Sequence, residues 1–320
     1  MNILILSVGT RNKIIQYFKR ELEGRGKVIA TDNSNLAPAI YEADKFYLVP
    51  RITEENYIEK LKQICRNEKI DAMFSLIDPE LSLLALHKKE FEEIGTKVIV
   101  ADYEAVERCF DKYEFAIFLE KNGFKTPKTY NNIQMFIRDC KSGKISFPVF
   151  VKPCRGSASI HVSQVNDLEE LEILLAKYDD LIVQEYMDGQ ELGIDVYVDM
   201  ISGEVTSIFI KEKIKMRAGE TDKSVSIKDE QLFKIISDLA KKLKLYGQND
   251  IDVFRVNGEY YISEVNPRFG GGYPHAYECG VNEPEMLINN LLGIKNEVAI
   301  GEYDAEVYMA KYNEIKIIKG

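Results

Sequence analysis

Between Tyr246 and Pro274 the chain reads YGQNDIDVFRVNGEYYISEVNPRFGGGYP. Two stretches of alternating apolar and polar residues meet at Asn257-Gly258, and the second runs out into three consecutive glycines. Period-two alternation marks a half-buried strand, and Asn-Gly between two such strands predicts a β-hairpin. The hairpin constrains the fold because strand faces alternate: Glu264 and Asn266 share a face by spacing alone, whereas Asp252 joins them in only one register. That register pairs Val256 with Tyr260 and leaves Asn257, Gly258 and Glu259 as a three-residue loop. A two-residue Asn-Gly turn would send Asp252 to the other face. In the productive register two carboxylates and an amide oxygen lie side by side, with Arg268 aimed at the same point. Hard cations such as Mg²⁺ take oxygen ligands of this kind, usually shared with substrate phosphates. An exposed hairpin with solvated acids is the plainer alternative, since acids usually sit in water.

At 320 residues the chain can form two or three domains with real cores. A formal net charge of −10 with no basic stripe argues against a nucleic-acid partner. The opening MNILILSVGTRNK has no basic segment and no small-residue cleavage site, so it is expected to be a buried first strand. No apolar run approaches the ~20 residues that span a bilayer, and no membrane association is expected. Five scattered cysteines without a Cys-x-x-Cys pair suit reduced thiols and a cytoplasmic protein. The three histidines have no zinc-like spacing.

Residues 1 to about 110 alternate strand and helix patterns. Ile3 to Val8 is a continuous apolar run, as in a strand buried on both faces. Ile14, Ile15, Phe18 and Leu22 follow at helical spacing, closed by Gly24 and Gly26. Strands are predicted at Val28 to Ala30, Phe46 to Val49, Ala72 to Leu76 and Val98 to Val100, with helices around 55–66 and 80–92. The alternation implies a doubly wound parallel sheet with right-handed crossovers. The Gly-x-Gly-x-x-Gly fingerprint is missing after the first strand, so an NAD site is not expected. Gly9, Arg11, Asp78 and Glu80 fall at strand ends, where they either line a crevice or, for the two acids, cap the next helix; capping is the simpler expectation.

Asp111 with Glu114 makes a capping box for a helix ending at Gly123. Phe147 to Pro153 is a strand that delivers Lys152, followed by the small-residue loop Cys154 to Ser159. Leu181 to Val183 is a strand leading into QEYMDGQE, residues 184–191. Leu192 to Met200 and Val205 to Lys211 predict an antiparallel pair. Residues 212–228 are polar and loop-like, suited to a lid or to a plain solvated loop. A helix from about Glu230 to Lys242 precedes the hairpin.

In this order and spacing the pieces resemble the ATP-grasp superfamily along essentially the whole chain, and most of all one ATP-grasp half of the carbamoyl-phosphate synthase large subunit. The resemblance implies an α/β plus α+β molecule. Residues 1–110 would be a Rossmann-like domain preceding the grasp, 111–187 the small α+β lobe with the phosphate loop, and 188–320 the second lobe with the metal hairpin. It implies ATP and Mg²⁺ as cofactors, two ions at the site, with Mn²⁺ as a substitute. Lys112 and Lys152 would contact the phosphates, and Gly156, Ser157, Ala158 and Ser159 would cover them. Gln184, Glu185, Tyr186 and Met187 match the hinge that reads adenine, with the register open by one residue, and Glu191 would hold the ribose. Asp252, Glu264 and Asn266 would bind metal, the short Asp252 standing where many relatives carry Glu or Gln. Arg268 would stabilise charge on the transferred phosphoryl group, with Lys213 or Arg217 as a further cation.

The activity implied is an ADP-releasing ligase that converts a small carboxylate to an acylphosphate and couples it to an amine. Phosphorylation of carbamate or bicarbonate, and an ATP-binding regulator without turnover, are the alternatives. No Ser-His or Cys-His set suggests a nucleophilic side chain. Arg11, Asp78, Glu80, Tyr273 and His275 are the expected substrate-lining residues, and a homodimer is the base-rate expectation.

Overall fold

The computed structural model describes residues 1–156 and 163–318. The first unit runs β1 (Asn2–Leu6), α1 (Asn12–Leu22), β2 (Lys27–Asp32), β3 (Lys45–Leu48), α2 (Tyr57–Glu68), β4 (Ala72–Ser75), α3 (Asp78–Glu92) and β5 (Lys97–Val98). All pairings are parallel, in the order β3-β2-β1-β4-β5. Ile3 to Leu6 are fully buried, which is why this strand reads as an unbroken apolar run. Chain order reverses on either side of β1, so a crevice opens at its carboxyl end.

Helices α4 (Tyr103–Phe110) and α5 (Lys112–Lys121) lead onward. Asp111 caps α5, its Oδ1 accepting from the N–H groups of Tyr113 at 3.2 Å and Glu114 at 3.0 Å. The small lobe follows as β6 (Thr129–Tyr130), α6 (Ile133–Lys141), β7 (Val149–Pro153), β8 (Ser163–Val165), α7 (Leu168–Lys177) and β9 (Leu181–Glu185). Its antiparallel sheet, β6-β9-β7-β8, closes over Tyr130, Phe136, Val149, Val151 and Leu171.

The large lobe comprises β10 (Gln190–Val198), β11 (Val205–Arg217), β12 (Glu220–Ile227), α8 (Glu230–Leu243), β13 (Gly247–Val256), β14 (Glu259–Asn266), α9 (Pro274–Glu278), α10 (Glu283–Leu291) and β15 (Tyr308–Ala310). The sheet is antiparallel, in the order β14-β13-β10-β11-β12-β15. Leu232, Phe233, Ile236, Leu239 and Leu243 of α8 are buried at helical spacing. One core joins this sheet to the first unit: Phe269, at the start of the glycine run, packs between Phe18 (5.9 Å) and Phe74 (5.5 Å). Among the described residues no helix is long and apolar enough to cross a membrane.

Residues 212–228 depart from the expected loop. They complete β11 and form β12, joined by a turn in which Ala218 and Gly219 both take positive φ, 50° and 77°. A period-two pattern is present, Ile214 and Met216 alternating with Lys213, Lys215 and Arg217, but both apolar residues are exposed and the surrounding stretch is polar.

Candidate active site

The hairpin β13–β14 closes by a two-residue turn, with Val256 opposite Glu259, Asn257 at φ 50° and Gly258 at φ 79°. This corrects the expected three-residue loop. The tight turn alone would have put Asp252 on the wrong face, yet Asp252 pairs with Glu264. A bulge makes the difference: Val253 pairs with Ile262 and Asp252 with Glu264, so Ser263 is the extra residue that restores the shared face. The next row on that face adds a residue the motif reading missed, Asp250 opposite Asn266. The period-two spacing of Asp250 and Asp252 was its signal.

Across β10 the same face carries Glu191 and Asp195, and across β11 it carries Lys211 and Lys213. The Lys213 ammonium donates to Asp252 Oδ1 at 2.6 Å and to Glu191 Oε1 at 2.7 Å. Burial lowers its pKa, but Asp252 and Glu191 prevail and hold it above the ordinary lysine range. Lys211 is wholly buried and ion-paired to Asp195. Arg217, the other candidate cation, points elsewhere: it is half exposed and paired to Asp222 at 3.0 Å. Glu191, expected to hold the ribose, is one-third exposed and also pairs with Lys213.

Arg268 is buried between two acids, 3.0 Å from Asp78 and 3.1 Å from Asp250. Asp78 is thus in the site and does not cap α3, which begins without a side-chain cap. Glu80 does not cap it either, being fully buried against the hydroxyls of Tyr57 and Ser75. Burial drives the Asp252 pKa up to about 7, with Asp250, Glu191 and Glu264 adding to the rise and Lys213 opposing it. Lys211 is taken by Asp195 and Arg268 by Asp78 and Asp250, which leaves Lys213 and Lys152 against Asp252, Glu191 and Glu264, and a divalent cation fits the deficit. No three His, Cys, Asp or Glu side chains among the described residues converge as a metal cluster by themselves.

The small lobe presents its lysines to the same place. Lys152, near the end of β7, is buried, and burial lowers its pKa against the nearby charges of Glu264, Asp252 and Glu191. Lys112, at the start of α5, donates to the Gly156 carbonyl at 2.6 Å. Lys112, Gly156, Glu264 and Asn266 line one small cavity between the lobes. Ser157, Ala158 and Ser159 lie outside the described residues. Gln184 and Glu185 end β9 and are followed by exposed Tyr186 and by Met187. The Gln184 amide donates to Thr129 Oγ1 at 2.9 Å, and the Glu185 carboxylate accepts from the Lys128 N–H at 3.1 Å.

Of the remaining expected lining residues, Arg11 is in the crevice, bonded to Glu220 at 2.8 Å. Tyr273 and His275 are not. Tyr273 is fully buried, donating to the Val281 carbonyl. His275 is buried between Ser224 and the Val307 carbonyl, and desolvation lowers its pKa to about 4. The three glycines are explained by close packing of the protein on itself. A Cβ at Gly270 would fall 2.4 Å from Asp250 Oδ1, at Gly271 2.7 Å from Glu220 Cδ, and at Gly272 2.7 Å from Lys211 Cε.

Comparison with known proteins agrees with this geometry. Residues 109–272 match the family described as ATP-grasp domain, and residues 3–99 match one described as PylC-like, N-terminal domain. The D-alanine–D-alanine ligase of Acetivibrio thermocellus is 27% identical over 72% of this chain and 69% of its own length. The carbamoyl phosphate synthase large chain of Thermotoga neapolitana is 27% identical over 88% of this chain, which spans only 26% of that protein. Among solved structures, the biotin carboxylase domain of Hydrogenobacter thermophilus 2-oxoglutarate carboxylase, in complex with MgADP, ADP and bicarbonate, superposes with a TM-score of 0.75. It shares 16% identity, covering 96% of this chain and 73% of the other.

Proposed function

The chain belongs to the ATP-grasp family, and on that premise we propose that it is an ATP- and Mg²⁺-dependent ligase coupling a small carboxylate to an amine with release of ADP. The observation that carries the reading is the single sheet face on which Asp252, Glu264 and Asn266 align beside Lys213, with Lys152 facing them from the other lobe. Asp252, Glu264 and Asn266 would hold the metal, as two ions, with Mn²⁺ as a substitute. Bound there, the metal would neutralise phosphate charge and help orient the nucleotide.

The chain's own groups do the rest. Lys112 and Lys152 grip phosphate oxygens as point charges, and the 184–187 segment reads the adenine edge with backbone groups. Lys213, rather than Arg217, meets the charge developing on the transferred phosphoryl group, because only Lys213 sits on the metal face. Arg268, clamped by Asp78 and Asp250, holds the Asp250 row in place. The carboxylate attacks the γ-phosphate and becomes an acylphosphate. The amine then displaces phosphate, so no side-chain nucleophile is required.

The test is release of ADP and phosphate from Mg-ATP across a panel of amino acids, small carboxylates and bicarbonate, with Glu264→Ala as control. Release that needs one carboxylate and one amine, and that Glu264→Ala abolishes, establishes the ligase. A second reading, phosphorylation of bicarbonate or carbamate, draws on the likeness to carbamoyl phosphate synthase large chains over 88% of this chain. It predicts bicarbonate-dependent ADP release. Tight ATP binding without turnover under any pairing would instead mark a regulatory protein.

A further inference from the structure

The mouth of the crevice holds a charged cluster that the phosphate chemistry leaves unused. Arg11 stands at the start of α1, just beyond the carboxyl end of β1, where the order of the parallel sheet reverses. Ligands of open α/β sheets collect at such points. Its Nε donates to Glu220 Oε1 at 2.8 Å, while Lys311 Nζ donates to Glu220 Oε2 at 3.1 Å. One carboxylate is therefore gripped from two sides, by a cation from the first unit and another that follows β15. The first turn of α1 has no acidic residue and no side-chain cap, so the helix end adds to the positive field on Arg11.

We propose that this cluster recognises the amine substrate as a free α-amino acid, its carboxylate on Arg11 and Lys311 and its α-amine on Glu220, whose carboxylate takes up the proton that the nitrogen sheds as it attacks the acylphosphate. Two cations and one acid match the two charges of a zwitterion, with Glu220 giving up part of its present pairing as the new carboxylate arrives. Arg11 is suited to the exchange. Its side chain is one-fifth exposed, and beyond Glu220 it reaches only the Phe269 carbonyl, at 3.4 Å. Arg268, by contrast, is buried and already neutralised by two acids.

The distance to the chemistry is short. Gly270 backs onto Asp250 in the metal rows and Gly271 onto Glu220, and consecutive Cα atoms stand about 3.8 Å apart. An α-amine held at Glu220 therefore stands about one residue's spacing from the Asp250 row, within reach of an acylphosphate formed at the metal face. The inference rests on the ligase reading, and the experiment separates the two. ADP release is measured with a panel of free amino acids, with the α-amide of the best one, with the corresponding decarboxylated amine, and with a dipeptide ending in the same residue.

Masking or removing the carboxylate should raise KM roughly 10- to 100-fold in the unmodified protein, the loss expected for a charge-assisted contact. Arg11→Ala should raise KM for the free amino acid by a similar factor, leave the already weak amide unchanged, and leave KM for ATP unaltered. Lys311→Ala should act in the same direction. Glu220→Gln should raise KM for the free amino acid and leave KM for a simple carboxylate partner unaltered. Unchanged melting temperatures show that these variants fold. A dipeptide preferred over the amino acid overturns the free-head reading. An amide that works as well as the acid, or an Arg11→Ala effect equal on both, overturns the site. ADP release driven only by bicarbonate or simple amines overturns the site while nucleotide-driven turnover stands. No release with any pair overturns the ligase reading and this site with it.

Discussion

Replacing Lys213 by Met removes one charge from the centre of the metal face while keeping most of the side-chain volume. In the folded chain its ammonium lies 2.6 Å from Asp252 and 2.7 Å from Glu191, with the side chain only 6% exposed. Breaking a buried ion pair by deleting one partner costs about 3–5 kcal/mol. Because Asp252 and Glu191 keep 24% and 32% exposure, water screens part of the exposed charge, and the lower end, about 3 kcal/mol, applies. At roughly 2 °C per kcal/mol the metal-free variant should melt about 6 °C below the parent. The ammonium also competes with any cation for Asp252, so Mg²⁺ should raise the melting temperature of Lys213→Met more than that of the parent. ADP release should fall on the order of 100-fold, the size expected for one transition-state donor. Thermal melts with and without Mg²⁺, and coupled ADP-release kinetics, test both halves. A variant that melts with the parent, gains nothing extra from Mg²⁺ and turns over normally would refute the argument that Lys213 neutralises this site.

The other expectations are narrower. Arg217→Ala should leave ADP release near the parent level and cost at most about 1 kcal/mol, since its pair with Asp222 is half exposed; a loss matching that of Lys213→Met would make Arg217 the working cation. Gly270→Ala should destabilise by about 1–3 kcal/mol and reduce turnover, because the new Cβ must push Asp250 off Arg268; a variant with parental stability would show that the glycine run has slack. His275, whose pKa is lowered to about 4 by burial, is neutral in the fold and binds its proton more readily when unfolded. Stability should therefore be lost progressively as pH falls from about 6.5 to about 4, and His275→Gln should flatten that part of the pH–stability curve measured by denaturant melts.

The class of the fold was legible wherever burial was one-sided or complete, because there the apolar pattern records the strand or helix that buries it. Ile3 to Leu6, the α1 stripe from Ile14 to Leu22 and the alternation in β13 and β14 are such places. Legibility failed where alternation is not matched by burial, as from Lys213 to Arg217, where Ile214 and Met216 are exposed and the pairing with β12 slips twice. It failed again where long-range contact decides a side chain's role. Asp78 looks like a helix cap until Arg268, 190 residues later, arrives to claim it. The metal hairpin is the most instructive case, since two local errors cancelled. Asn257-Gly258 makes the tight turn its own chemistry favours, and that turn sets Asp252 and Glu264 out of phase. One unpaired residue, Ser263, brings them back. That Glu264 and Asn266 share a face was readable from their spacing, and that Asp252 must join them followed from the metal chemistry. The bulge that meets this requirement was not readable, because an extra residue in a ladder leaves no mark on the period of one strand and exists only in the pairing of two.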